Sequence, residues 1–134
     1  MANTITVDEN KWMTQSGVTV LAIDGKAIGD TTLYTVPTGY QLVVDRVILT
    51  PTTVAGFAIA PVVSVGKTGA AYVDVVLGTT LTGLSSTGLS TALSPIAASS
   101  VLSAGEALVL RVSTGATATT YALSATVIGT LINA

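Results

Sequence analysis

The 134-residue chain has no histidine and no cysteine, and only 9% of its residues are charged. Without His or Cys, neither a Ser–His–Asp nor a Cys–His nucleophile system can be built, and the usual zinc ligand sets are excluded. Disulfides are excluded as well, so packing alone must hold the fold, and assembly in a reducing cytoplasm is permitted. Aromatic residues are scarce at 4%, which leaves little material for stacking on sugars or bases.

Basic charge is scarce too, and dispersed. Lys11, Lys26, Arg46, Lys67 and Arg111 are scattered singly in a chain of net charge −2. Nucleic-acid binding needs clustered Lys and Arg to displace counterions from phosphates, so no nucleic-acid partner is expected. An anionic membrane surface is disfavoured for the same reason. The first residues, Met1 to Trp12, lack a basic region followed by an apolar core and do not read as a secretory signal. Two stretches, Val47–Gly66 and Val75–Gly105, carry no charge. They are interrupted by Pro, Gly, Ser and Thr, so neither reads as a membrane-spanning helix.

What the chain does have is hydrophobic residues, 49% of the total, set among Thr, Gly and Ser in short alternating runs. The length suits one domain. Residues 1–15 read as an N-terminal arm, the densest in charge, with Asp8, Glu9 and Lys11 beside the only tryptophan, Trp12. Residues 16–134 read as a β-domain. Strands are predicted over Val18–Ile23, Thr31–Val36, Tyr40–Thr50 (closed by Pro51), Phe57–Val65, Ala70–Leu77, Ala107–Ser113 and Thr120–Ile128, the last prolonged towards Ala134. Turns are expected at Asp24–Gly25, Pro37-Thr38-Gly39, Gly66–Gly69 and Ser103–Glu106. The low-complexity residues 78–104 predict hidden short strands, an irregular crossover and one helical turn near Ile96–Val101. About eight short strands punctuated by Gly and Pro predict an all-β fold, an antiparallel β-sandwich of jelly-roll type.

Strand alternation divides each run into two rows. Tyr121, Leu123, Ala125 and Val127 form a core row against a small, mostly polar row of Ala122, Ser124, Thr126 and Ile128. Leu108, Leu110 and Val112 form a core row opposite Val109, Arg111 and Ser113. Strict alternation in Tyr40–Thr50 gives two mainly apolar rows, Leu42, Val44, Arg46 and Ile48 against Val43, Asp45, Val47 and Leu49. It also sets Asp45 and Arg46 on opposite faces, unable to pair. A strand apolar on both faces needs protein on both sides. The expected cover is a second copy, with Val43, Asp45, Arg46, Val47 and Leu49 at the subunit interface; the alternative is cover by the chain's own loops.

No reaction chemistry emerges. Asp24, Asp30, Asp45, Asp74 and Glu106 show no spacing that singles out a glycosidase pair. The interval Asp24–Asp30 matches no calcium loop. Gly66-Lys67-Thr68-Gly69 lacks the earlier glycine of a phosphate loop, Val62 standing in its place, and no helix follows. No enzyme activity, cofactor or metal is expected. Asp8, Glu9, Lys11, Trp12 and Met13 are the candidate partner-binding residues of the arm. Trp12 serves either as an interface anchor or as cover for its own domain.

The run Thr32-Leu33-Tyr34-Thr35-Val36-Pro37-Thr38-Gly39-Tyr40-Gln41-Leu42-Val43-Val44, continuing to Arg46-Val47, resembles a pattern in small virion proteins of tailed bacteriophages. So do Ala104–Val112 and the later run Tyr121–Ile128, Gly129 and Leu131. The family resembled is that of capsid decoration, or cement, proteins. The resemblance implies a β-sandwich or jelly roll, made in the host cytoplasm, that trimerises on the outer surface of the head. It implies binding to the major capsid protein, with an arm reaching to neighbours, and stiffening of the shell. The pattern also occurs in phage tail and fibre modules, which leaves a tail, fibre or carbohydrate-receptor-binding β module as the alternative.

Overall fold

The computed structural model describes residues 13–67, 72–96 and 100–133. These form nine strands: β1 (Met13–Asp24), β2 (Gly29–Thr35), β3 (Tyr40–Ala55), β4 (Val62–Gly66), β5 (Val76–Thr80), β6 (Thr91–Leu93), β7 (Val101–Leu102), β8 (Ala107–Thr114) and β9 (Thr120–Asn133). No helix occurs among the described residues. One sheet runs β1-β9-β3, with β6 and β7 laid end to end along the far side of β3; the other runs β2-β8-β4-β5. Every pairing is antiparallel.

The pairing is nested. β1 meets β9, β2 meets β8, β3 meets β6 and β7, and β4 meets β5. A long hairpin folded on itself in this way is a jelly roll, the fold class expected from the strand count and turn spacing. The core lies between the two sheets, and alternation supplies it. Leu108, Leu110 and Val112 of β8 and Tyr121, Leu123, Ala125, Val127 and Leu131 of β9 are all buried. Leu33, Leu42, Leu49, Leu84 and Leu102 fill the remaining space. Each such side chain contributes ~1.5–3 kcal/mol by leaving water.

Two of the expected turns form where Pro and Gly predict them, at Pro37–Gly39 and Ser103–Glu106, while the one expected over Gly66–Gly69 falls partly outside the described residues. Tyr40 N–H reaches Pro37 C=O at 3.3 Å, and Gly39 takes φ +88°. In the later turn Glu106 N–H reaches Ser103 C=O at 3.0 Å, the Glu106 carboxylate accepts Ser103 N–H at 2.7 Å, and Gly105 takes φ +84°.

Several expectations need correction. Pro51 does not close β3, which continues to Ala55 across a bulge at Thr52 that separates the pairs Pro51↔Leu123 and Thr53↔Ala122. Residues 57–60 are not a strand; they are loop, held by a single bridge from Ile59 to Thr117. The strand expected over Ala70–Leu77 begins only at Val76, and residues 68–71 lie outside the described residues. The helical turn expected at Ile96–Val101 falls partly on residues 97–99, also outside them, and Val101 itself is strand.

The correction with most consequence lies at Asp45. A second bulge in β3 separates Val44↔Gly129 from Arg46↔Ile128, leaving Asp45 unopposed. The extra residue flips the alternation beyond it. Leu42 and Val44 point into the core before the bulge; Val47 and Leu49 do so after it, each fully buried. Val47 and Leu49 are therefore core residues of their own chain, not subunit-interface residues. Asp45 and Arg46 now share the outer face, and they pair at 2.6 Å. Gly129 makes the kink possible: a Cβ there would lie 2.7 Å from the Val43 carbonyl oxygen.

Candidate assembly surface

The carboxylates weighed in the sequence are all engaged structurally. Asp30 accepts two hydrogen bonds from Arg111, at 2.7 and 3.0 Å. Asp45 pairs with Arg46. Asp74 accepts Lys67 N–H at 3.0 Å, and Asp24 accepts Lys26 N–H at 2.9 Å. Glu106 lies 3.8 Å from the Lys67 ammonium while capping its own turn. No group of three acidic side chains converges among the described residues. A cleft of about 360 Å³ is lined by Ala22, Asp24, Lys26, Thr53 and Thr119–Ala122. It holds one carboxylate and one amine, and the amine is already donated to Thr119 C=O at 2.9 Å.

The two sheets treat their outer faces differently. On the β2-β8-β4-β5 sheet, the segment after β4 crosses back over the strands. A Cβ on Gly66 would collide with the backbone of Tyr72, so only glycine lets the segment lie this close. The Arg111 guanidinium sits 5.0 Å from the centre of the Tyr72 ring. Beneath this cover Val109 is buried although it points away from the core, and so is Ser64, whose hydroxyl finds no partner among the described residues. The Arg111 guanidinium, hydrogen-bonded to Asp30, holds the Asp30 carboxyl below its ordinary pKa, and Asp30 raises that of Arg111 in turn.

The outer face of the β1-β9-β3 sheet has no such cover among the described residues. Its outward row on β9 is Ala122, Ser124, Thr126, Ile128, Thr130 and Ile132, all half-buried. Across the pairing, Ile128 lies beside Arg46 and Gly17, Thr126 beside Ile48 and Thr19, and Thr130 beside Val43. The Thr19 and Thr126 hydroxyls meet at 3.0 Å. The outward residues of β3 in this stretch are Val43, Asp45, Arg46, Ile48 and Thr50. The face is β-branched and small; Asp45 and Arg46 neutralise each other on it, and Asp24 lies at its far end beside Ala122.

The structure brings Val43, Asp45 and Arg46 together on this open face. It withdraws Val47 and Leu49 into the core. Met13 begins β1, paired with Ile132, so strand pairing starts inside the stretch read as an arm. Asp8, Glu9, Lys11 and Trp12 lie outside the described residues. Sequence reasoning missed Ile128 and Ile132 as members of the open face. The signal was the row Ala122 to Ile128, already recognisable as pointing away from the core.

No protein-family model matches the chain, and no curated protein matches it. Among solved structures, the chain is similar to one in the cyanophage Pam1 capsid asymmetric unit, with TM-score 0.60 and 17% identity over 98% of this chain and 94% of that one. It is also similar to a chain in the acidic stable capsid structure of the Helicobacter pylori bacteriophage KHP30, with TM-score 0.56 and 15% identity over 90% of this chain and 98% of that one. The likeness is one of fold, and the fold is one that occurs in phage capsids.

Proposed function

We propose that the chain is a structural protein of a bacteriophage virion, a capsid decoration or cement protein that binds the outside of the head as a homotrimer and stabilises the shell. One observation carries this reading: the jelly roll matches, over nearly its whole length, chains from two phage capsid structures, and it spans almost all of each of those chains. A subunit of this size and fold therefore has a place in such shells. The absence of His and Cys from the sequence, the structural engagement of its carboxylates and the β-branched outer face agree with a role in binding.

In this role the major capsid protein is the principal partner, and Asp8, Glu9, Lys11, Trp12 and Met13 make the arm contact, with Trp12 as its aromatic anchor. Val43, Asp45 and Arg46 lie at contacts between copies. The protein is made in the host cytoplasm and ends on the capsid surface. The test uses phage shells assembled without this chain, to which the purified protein is added. Saturable binding in multiples of three and a higher shell disruption temperature are expected. Deleting residues 1–12, which leaves β1 intact, should abolish binding. Shells that bind nothing and disrupt at an unchanged temperature would overturn the assignment.

A further inference from the structure

The cleft beside Ala122 is built by irregularities in two strands. β1 bulges between Val20 and Ile23, and β3 bulges at Thr52, between Pro51 and Thr53. Both bulges fall within the stretch Ala122–Ala125 of β9, and beyond them Asp24 and Thr53 stand on either side of Ala122. A bulge re-aims the residues next to it. Ala122 bears only a methyl group, so a hollow opens between its two neighbours, which lie two strand spacings apart, ~10 Å. Ala22, inside the first bulge, takes φ +59°. A left-handed backbone strains any residue with a Cβ and persists only where its surroundings hold it. The turn that carries Lys26 is held on both sides. Gly25 N–H reaches Tyr121 C=O at 2.9 Å, and Ala116 N–H reaches Gly25 C=O at 2.8 Å. A Cβ on Gly25 would collide with the Tyr121 ring, and one on Gly115 with the Lys26 carbonyl. The walls are therefore fixed by backbone contacts, which lowers the ordering cost of binding.

The lining sets the chemistry of an occupant. Asp24 and Lys26 supply one charge of each sign. Asp24 Oδ1 accepts Lys26 N–H at 2.9 Å, and the Lys26 ammonium gives one proton to Thr119 C=O at 2.9 Å. Asp24 Oδ2 and the other ammonium protons have no partner among the described residues, and each can take a ligand atom. The hydroxyls of Thr53 and Thr120 line the same hollow. A cationic ligand would meet Lys26, and an anionic one Asp24. A neutral hydroxyl answers both, donating to the carboxylate and accepting from the ammonium. Several hydroxyls on one ring match this mixed lining, and the methyl groups of Ala22 and Ala122 offer small apolar patches for its C–H faces. At about 360 Å³ the cleft stands near the lower end of the ~300–1,000 Å³ usual for small-molecule sites, room for a single ring.

We infer that this cleft binds one neutral sugar residue, with Asp24 and Lys26 as the hydrogen-bonding pair and Ala122 as the floor. Recognition is by hydrogen bonds rather than by stacking, and the affinity of a single copy is weak, in the millimolar range. The inference does not rest on the virion role. In a shell, many copies side by side would multiply a weak affinity.

The experiment titrates the isotope-labelled full chain with glucose, galactose, mannose and N-acetylglucosamine, and follows amide chemical shifts by NMR. Glycerol and free glycine are the controls for a simple polyol and a zwitterion. At least one sugar is expected to give saturable shifts confined to the amides of Ala22, Asp24, Lys26, Thr53, Thr120 and Ala122. Asp24→Asn, which keeps the oxygen that accepts Lys26 N–H, should weaken binding about tenfold or more. Ala122→Leu fills the hollow from an outward-facing position and should abolish binding while the rest of the spectrum is unchanged. If Ala122→Leu fails to fold, Thr53→Leu narrows the cleft from the neighbouring strand and takes its place. No saturable shift with any of the four sugars overturns the inference. So does a sugar affinity that the filling variant leaves unchanged, or binding of glycine alone. Shifts that glycerol reproduces at equal concentration mean an adventitious additive only, and overturn it as well.

Discussion

Both sheets of this jelly roll give side chains to the core, and they treat the outside differently. On the β2-β8-β4-β5 sheet the chain folds back over its own outer face. Tyr72 lies over Gly66 and Arg111, Asp30 clasps Arg111, and Ser64 is sealed underneath. The β1-β9-β3 sheet has a face of Ile, Val and Thr without such cover among the described residues, and Asp45 and Arg46 pair on it. The difference is written in small features, one glycine and one bulge, rather than in overall composition.

The comparison is tested first at the core, to which both sheets contribute fully buried leucines. Leu42→Ala in β3 and Leu110→Ala in β8 should each lose ~2–5 kcal/mol of stability, measured by urea denaturation. A large inequality would mean that one sheet carries the fold. Next come the two close approaches. Gly66→Ala forces the crossing segment off Tyr72, and Gly129→Ala pushes on the Val43 carbonyl at the bulge. Each should cost about 1–3 kcal/mol, but only Gly66→Ala should expose the covered face, seen as faster proteolysis or dye binding. Ser64→Ala removes a buried hydroxyl that has no partner among the described residues and should stabilise the covered side by ~1 kcal/mol.

The smallest effect is electrostatic. Arg111 lowers the Asp30 pKa, so the pair contributes fully above about pH 4, the ordinary carboxylate value, and the contribution is lost as pH falls through the lowered native value. Asp30→Asn should lower the denaturation midpoint slightly at pH 7, because the pair is partly exposed. The gap from the unmodified protein should vanish in strong acid. A gap that persists there would mean that Asp30 acts through something other than its charge.

Much of this was legible in the sequence. Alternation identified the core rows of β8 and β9, and Pro37–Gly39 and Ser103–Glu106 marked the turns before β3 and β8, because period and turn chemistry are local properties. The bulges in β3 were not legible. A bulge belongs to a pair of strands, and the pairing of Asp45 and Arg46 depends on Gly129, far away in the chain. The same holds for Pro51, whose missing N–H is tolerated because a bulge follows at Thr52. The short strands β6 and β7 were hidden in low-complexity sequence, where no period reveals which residues meet.

The nesting of the strands has a consequence for synthesis. β1 can pair only with β9, and β2 only with β8, so the first segments to leave the ribosome must wait for the last. Non-local contacts of this kind slow folding and leave the nascent chain open to wrong partners meanwhile. The absence of charge from Met13 to Ile23 sharpens that exposure. Yield should therefore depend on how quickly translation delivers β9, and slow codons late in the message should raise aggregation more than slow codons early in it.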